Sequence, residues 1–212
     1  MRLVDLSVRE FVCEVDSAAP APGGGSVSAL ASALGTGLLR MVGHLTIPKK
    51  KFNKLDEDVQ KHFIHNHEVL KTLENRLLEL IDRDTEAFNE IMKAFKMPKE
   101  TEQDQKKRSK AIEAATLKAI DVPENIAKVA LEALEMVDLV SEYGNKNALS
   151  DVGVSALMLY AGLEGACLNV KINLPGLSDE NLIKQYQTKI EDLLKKGEAL
   201  KSAVLVKVHN AL

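Results

Sequence analysis

Apolar residues along this chain recur at intervals of three and four, the period of helices, and hardly ever at the interval of two that marks strands. Leu3, Leu6, Phe11, Val12 and Val15 outline a first amphipathic helix, with Asp5 or Ser7 at its start. Ala18 to Gly25, read as AAPAPGGG, interrupts the pattern with two prolines and three glycines. Ser26 follows where an N-cap is expected. The run from Val27 to Val42 is built of Ala, Gly, Ser and Leu with one charge, Arg40, and its small side chains suit close helix packing at the centre of a fold.

The longest element follows the break at Pro48. Asp56 to Lys96 contains neither Pro nor Gly, and a helix of that length would reach roughly 60 Å. Phe63, Leu70, Leu77, Asp84 and Ile91 repeat every seven residues, with Leu73, Leu80, Ala87 and Ala94 as the companion row. Such a seam demands a partner helix. Thr101 to Ile120, antiparallel to it after Met97-Pro98, is the expected partner. A hairpin over about 56–120 would protrude, and its uncovered apolar surface predicts a second subunit.

Pro123 fits the first turn of another helix that ends at Gly144. After the loop NKNALSD, Ser150 or Asp151 is the expected N-cap of a helix from Val152 to Leu174, apolar on all sides and therefore read as buried core. Glu164 and its glycines argue against a membrane span there. Pro175-Gly176 breaks it, and Ser178 or Asp179 caps a last helix through Tyr186, Ile190, Leu193, Leu200 and Val204. The expected fold is all-α, a multihelical bundle in a single domain over 1–212.

Composition adds exclusions. Aromatics are 4% of 212 residues and Trp is absent, so the core rests on aliphatic side chains; the net charge of −3 with interleaved signs leaves no nucleic-acid footprint. Cys13 and Cys167 lie far apart in apolar settings, neither a metal pair nor a disulfide framework, and read as two buried thiols of a reducing compartment. With no apolar signal core in MRLVDLSVREF, a cytoplasmic protein is expected.

Three constellations can carry chemistry. Gly23, Gly24, Gly25 and Ser26 at a helix start can present bare amides to an anion, or form a plain entry turn; the lysine of a P-loop is missing. Asp84 stands in an apolar seam, where an isolated charge is costly unless paired or hydrated. It either sets register, marks the point where the seam meets the main body, or acts. Asn145, Lys146, Asn147, Ser150 and Asp151 gather at one helix junction, with Asn169 and Asn173 on one face of the next helix. That is more polarity than capping needs, and it favours a site. His62, His65 and His67 lack the i, i+4 spacing of a metal pair and read as a solvated face.

PAPGGGSVSALASALG at 20–35, MV with LTIPKKKF at 41–52, DTEAFNEIMKAFKMPK at 84–99, Val122-Pro123, and GNKNALSDVGVSALMLYAGLEGACLNVKINL at 144–174 together resemble the cyclodeaminase/cyclohydrolase family. This is the family of the C-terminal domain of formiminotransferase-cyclodeaminase and its free-standing bacterial relatives. The lysine loop departs from the family pattern, with Pro48 before it and Phe52 where a tyrosine is usual. The resemblance implies an α-hairpin used in dimerisation, a tetrahydrofolate one-carbon substrate, no metal or redox cofactor, and no room for a formiminotransferase domain. Two reactions are compatible with it. In a formiminotetrahydrofolate cyclodeaminase, the carboxylates Asp84 and Asp151 would be catalytic. Asn147, Ser150, Asn169 and Asn173 would hold the pterin, and the glycine turn and Lys50 the anionic tail. A methenyltetrahydrofolate cyclohydrolase would use the same site, with water replacing the amine. A non-catalytic folate-binding or scaffold dimer is the reading from another class, and only a functional site needs the glycine turn, Asp84 and the 145–151 loop to converge in one cleft.

Overall fold

The computed structural model describes residues 2–212. Among them there is no strand, and seven α-helices carry the fold: α1 (Val8–Val15), α2 (Gly24–Thr46), α3 (Glu57–Phe95), α4 (Glu102–Glu135), α5 (Val137–Tyr143), α6 (Leu149–Asn173) and α7 (Glu180–Ala211). The protein is all-α, as the periodicity predicts. Ser7 caps α1 in a reciprocal box with Glu10, Thr101 does the same for α4 with Asp104, and Asp179 caps α7.

The centre is the antiparallel pair α2 and α6. Ser155 donates to the Gly35 carbonyl at 2.7 Å, and the Asn145 amide reaches the Thr46 hydroxyl at 2.9 Å. Their backbones approach because the facing residues are small. A Cβ on Gly162 would run into the Ser32 hydroxyl and the Ser28 carbonyl, and one on Gly35 would lie 3.0 Å from the Ser155 carbonyl. Around this pair stand α3, α4 and α7, whose Leu73, Leu77, Ile126, Leu134 and Ile190, with Leu39 of α2 and Leu159 of α6, are all but sealed from solvent.

Four expectations need correction. Pro123 does not open a new helix: α4 runs through it to Glu135. Pro123 lacks the donor for one intrahelical bond, but it is buried and the flanking turns are held by packing. The seam of α3 is largely covered by its own chain, since Phe63, Leu70, Leu77 and Leu80 are buried. Only its outer part, Ala87, Ile91 and Ala94, relies on α4 alone, through Ala115 and Ala119. The uncovered apolar surface is elsewhere. α6 is buried on one side only, leaving Val154, Leu157, Leu168 and Ile172 exposed beside Val27, Leu34, Met41 and Leu45 of α2. Finally, Cys13 is exposed while Cys167 is buried, because α1 packs chiefly through Phe11.

Two of these helices, α2 and the segment around α6, are long and apolar enough to cross a membrane, by length and composition. Their small-residue faces are instead buried against each other. The α2–α6 contact predicts a sharp dependence on Gly162. Gly162→Ala should cost about 2–3 kcal/mol, the scale of overpacking a filled core. Gly37→Ala, which meets only the end of the Glu74 side chain at 3.2 Å, should be neutral or slightly stabilising. Urea unfolding midpoints of the two variants check both.

Candidate functional site

α2 starts one turn earlier than its sequence suggests. Gly23, not Ser26, is the N-cap, and Gly24, Gly25 and Ser26 form the first turn, with no capping side chain from the chain just before it. The cap comes from α3. Asp84 Oδ2 accepts the Ser26 amide at 2.8 Å and lies 3.2 Å from its hydroxyl, which donates to the Ile81 carbonyl at 2.7 Å. A carboxylate at a helix N-terminus satisfies an otherwise orphan donor and meets the positive end of the dipole. Gly25 is required for this: a Cβ there would occupy the space of the Asp84 carboxylate. Asp84 thus sits where the seam of α3 meets the main body, and it is half-buried. Burial raises its pKa above the ordinary 3.8, against the opposing bonds from the Ser26 amide and hydroxyl. No cation of the chain is among the groups that shift it.

The last turns of α6 complete this end. Asn169 abuts Gly24, where a Cβ would stand 2.9 Å from its Nδ2. Asn169 Nδ2 donates to the Gly165 carbonyl at 2.8 Å, and Asn173 Nδ2 to the carbonyls of Asn169 at 2.8 Å and Ala119 at 3.3 Å. The Oδ1 atoms of both amides have no protein donor among the described residues. The glycine turn, Ser26, Asp84, Asn169 and Asn173 therefore gather at this end, but the 145–151 loop expected to converge with them does not.

The other expected residues do not join them. Lys50 and Asn147 lie at the far end of α2, about 33 Å away for a helix of its length. They line a cleft of ≈ 690 Å³ with Lys49, Lys51, Phe52 and Tyr143. Asn145 ties this loop down by accepting the Asn147 amide at 3.2 Å. Ser150 and Asp151 are at this same end, in the first turn of α6. Neither is its N-cap: the helix starts at Leu149 after Ala148, with no side-chain cap. Asp151 makes no ion pair or side-chain hydrogen bond among the described residues. The sequence places Asn147 and Asn169 in one motif, but a straight helix between them puts them at opposite ends of the molecule.

Sequence reasoning also misread His67. It is buried, not solvated, and packs edge-on to His44 with ring centroids 4.5 Å apart. Burial, then the neighbouring His44 and Arg40, depress its pKa. Arg40 beside it pairs with Glu74 at 2.9 Å, joining α2 to α3. The signal was available: Gly43 leaves the room that His67 fills.

Comparison with known proteins agrees with this architecture. The family model for formiminotransferase-cyclodeaminase matches residues 7–192, and the chain belongs to that family. It is 34% identical over 198 residues to a methenyltetrahydrofolate cyclohydrolase of Methylorubrum extorquens, covering 93% of each protein. It is 33% identical over 203 residues to the formimidoyltransferase-cyclodeaminase of Rattus norvegicus, of which it spans 37%. The crystal structure of a formiminotetrahydrofolate cyclodeaminase from Thermotoga maritima superposes with a TM-score of 0.78 at 28% identity, over 98% of this chain and 96% of that one.

The environment of Asp84 sets a pH signature. Its folded pKa is raised, so its contribution favours the fold at pH below 3.8 and is lost as pH rises through the folded value. Asn at 84 keeps an acceptor for the Ser26 amide and has no ionisation cost. The stability of Asp84→Asn relative to the parent should therefore rise from pH 4 toward neutrality, read from urea midpoints across that range. An unchanged difference would mean that the Asp84 carboxyl titrates as it does in water.

Proposed function

We propose that this protein is a one-carbon folate enzyme, a formiminotetrahydrofolate cyclodeaminase, with Asp84 as its proton-transfer group. The observation that carries the reading is a half-buried carboxylate of raised proton affinity, with no cation of its own, beside the glycine turn and two half-used amides. Folate N10 attacks the carbon of the protonated formimino group on N5, forming the N10–C bond as the C=N double bond opens to an amine. Asp84 takes the N10 proton and returns it to that amine nitrogen of the tetrahedral intermediate, which becomes an ammonium leaving group. The C–N bond then breaks, ammonia leaves, and a methenyl bridge carrying positive charge remains. The now ionised Asp84 provides the missing counter-charge. Asn169 and Asn173 offer their free oxygens to the N–H groups of the pterin edge.

A second reaction, hydrolysis of the methenyl bridge to 10-formyltetrahydrofolate, is favoured by one specific observation, the full-length match to a cyclohydrolase. The same groups serve, with water adding to the methenyl carbon. Both reactions are drawn with side chains alone, and no metal or redox cofactor takes part in them. A reducing cytoplasmic setting suits the buried thiol of Cys167.

The wide separation of the two halves supports a homodimer as the working form. Leu34 lies near the middle of α2, with Val27 seven residues before and Met41 seven after, all exposed. A two-fold axis through Leu34 would pair two copies of α2 antiparallel and set Val27 against the partner's Met41. The apolar strips of α2 and α6 would then be covered. Such packing brings the partner's Lys50 and Asn147 over this chain's Gly24, Asp84 and Asn169. Lys50 then meets the anionic tail, and Asn147 the ring system. Ser150 and Asp151, also at that end, approach as secondary contacts. The α3–α4 arms continue about 16 Å beyond Asp84 and flank the partner, so the hairpin lies beside the interface and not at its centre.

An absorbance assay for methenyltetrahydrofolate, started once from the formimino compound and once from the methenyl compound, tests the reaction. Formation from the first supports the cyclodeaminase; decay of the second alone replaces it with the hydrolase; no change in either removes both. Asp84→Asn should lose roughly a hundredfold in turnover, and near-parental rates would take Asp84 out of the mechanism.

The shared site makes a sharper prediction. Asp84→Asn and Lys50→Met, each weak alone, should regain about a quarter of parental activity when mixed and re-equilibrated, because half the dimers then carry one intact site of two. No recovery on mixing, although exchange is verified, would place both residues in the same subunit's site.

A further inference from the structure

The lysine cleft contains an aromatic wall that the reaction above does not use. Of the three tyrosines in the chain, two are committed elsewhere. Lys201 Nζ sits 4.2 Å from the ring centroid of Tyr160, and Lys189 Nζ sits 4.9 Å from that of Tyr186, whose hydroxyl donates to Asp121 at 2.8 Å. Tyr143, the last residue of α5, is half-buried and lines the ≈ 690 Å³ cleft with Lys49, Lys50, Lys51 and Asn147. Phe52, the other aromatic in that wall, is 3% exposed and locked edge-on against Phe63 at 5.3 Å. Tyr143 therefore offers the accessible aromatic surface in the cleft.

Its surroundings fix it in place. The Asn145 amide is tied to Thr46, and Lys146 Nζ donates to the Ser141 and Glu142 carbonyls at 2.9 and 2.8 Å, closing the end of α5. The neighbouring Glu142 carboxylate raises the phenol's pKa, so it stays neutral. None of the three loop lysines pairs with a carboxylate among the described residues. A flat ring against an anchored tyrosine, with free ammonium groups alongside, matches a ligand that joins aromatic rings to carboxylates.

We propose that Tyr143 is the stacking platform for a flat ring of the substrate, the aminobenzoyl ring or the pterin, and that it sets affinity within the lysine cleft. This rests on the folate reading above. Tyr143 packs on the ring face while the amides of Asn169 and Asn173, from the other protomer, address the ring edge. It is a binding residue and takes no part in proton transfer, so its loss is felt in KM and not in kcat.

Tyr143→Leu and Tyr143→Phe separate stacking from the hydroxyl. Tyr143→Leu should raise KM, and the Kd for 5-formyltetrahydrofolate by calorimetry, about tenfold or more, the scale of one aromatic stack. Its kcat should change little, and Tyr143→Phe should stay near parental. Parental KM and Kd in a folded Tyr143→Leu overturn the proposal. Because the chain has no Trp, Tyr143→Trp adds a readout that does not depend on the leucine variant folding. Its single indole should be quenched on addition of 5-formyltetrahydrofolate. Unquenched fluorescence in a variant that binds the compound by calorimetry overturns the stacking while leaving the folate reading intact. A parent that neither binds nor turns over any folate overturns both.

Discussion

Everything in this fold depends on how closely α2 and α6 can approach. Gly35, Gly162 and Gly165 oppose Ser28, Ser32 and Ser155 without room for another methyl group. That proximity permits the bond from Ser155 to the Gly35 carbonyl deep in the core. It also holds the two helices together along their length, from Ser28 beside Gly165 to Thr46 beside Asn145. Two antiparallel rods of 23 and 25 residues then define two ends, while Ser155 and Thr36 between them are spent on backbone carbonyls.

At one end the constraint produces an uncapped helix. The α2 N-terminus is entered from Pro20, Pro22 and three glycines, none of which offers a capping side chain. Its amides are met by Asp84 from α3, which explains the charge in the leucine seam. The position is not a register device inside a coiled coil. The seam has by then left the main body's apolar layers and reached the end of α2, where an acceptor is needed. The same placement leaves the carboxylate half-buried and without a cation. A structural cap and a proton carrier are usually separate demands on separate residues. In the proposed mechanism one geometry would meet both, since the Ser26 amide orients one oxygen and leaves Oδ1 uncommitted.

Much of this was readable in the sequence. The heptad of α3, the capping boxes at Ser7 and Thr101, and the small-residue character of α2 fix the helices and their order, because each rests on local periodicity or local hydrogen bonding. Motif content marked the glycine turn, Asp84 and Asn169 as candidates, but the expected meeting of the glycine turn and Asp84 with the 145–151 loop does not occur within one chain. What the sequence could not give was distance. Asn147 and Asn169 are separated by an apolar run that reads as buried all round, and only its three-dimensional packing reveals that half of it faces outward. The N-caps of α2 and α6 failed for a related reason. A cap supplied by another helix, as Asp84 supplies it, leaves no signature beside the helix it serves.

The outward face of α2 and α6 closes the problem that the separation opens. In the proposed function the polar sets at the two ends of a roughly 33 Å rod are half-sites, with Asp84 and the two amides at one end and Lys50 and Asn147 at the other. An exposed strip centred on Leu34 has the one symmetry that repairs this, because an antiparallel repeat of the rod places each end against the opposite end of its copy. Gly24 lies ten residues from that centre and Thr46 twelve, so the ends fall within roughly 3 Å of register along the axis. A parallel or strongly staggered pairing would bury the same leucines and leave the halves apart. Burial energy is indifferent between these packings. The positions of Lys50, Tyr143 and Asn147 relative to Asp84 are not, and under the proposed function they favour the two-fold arrangement, which would assemble a complete site twice.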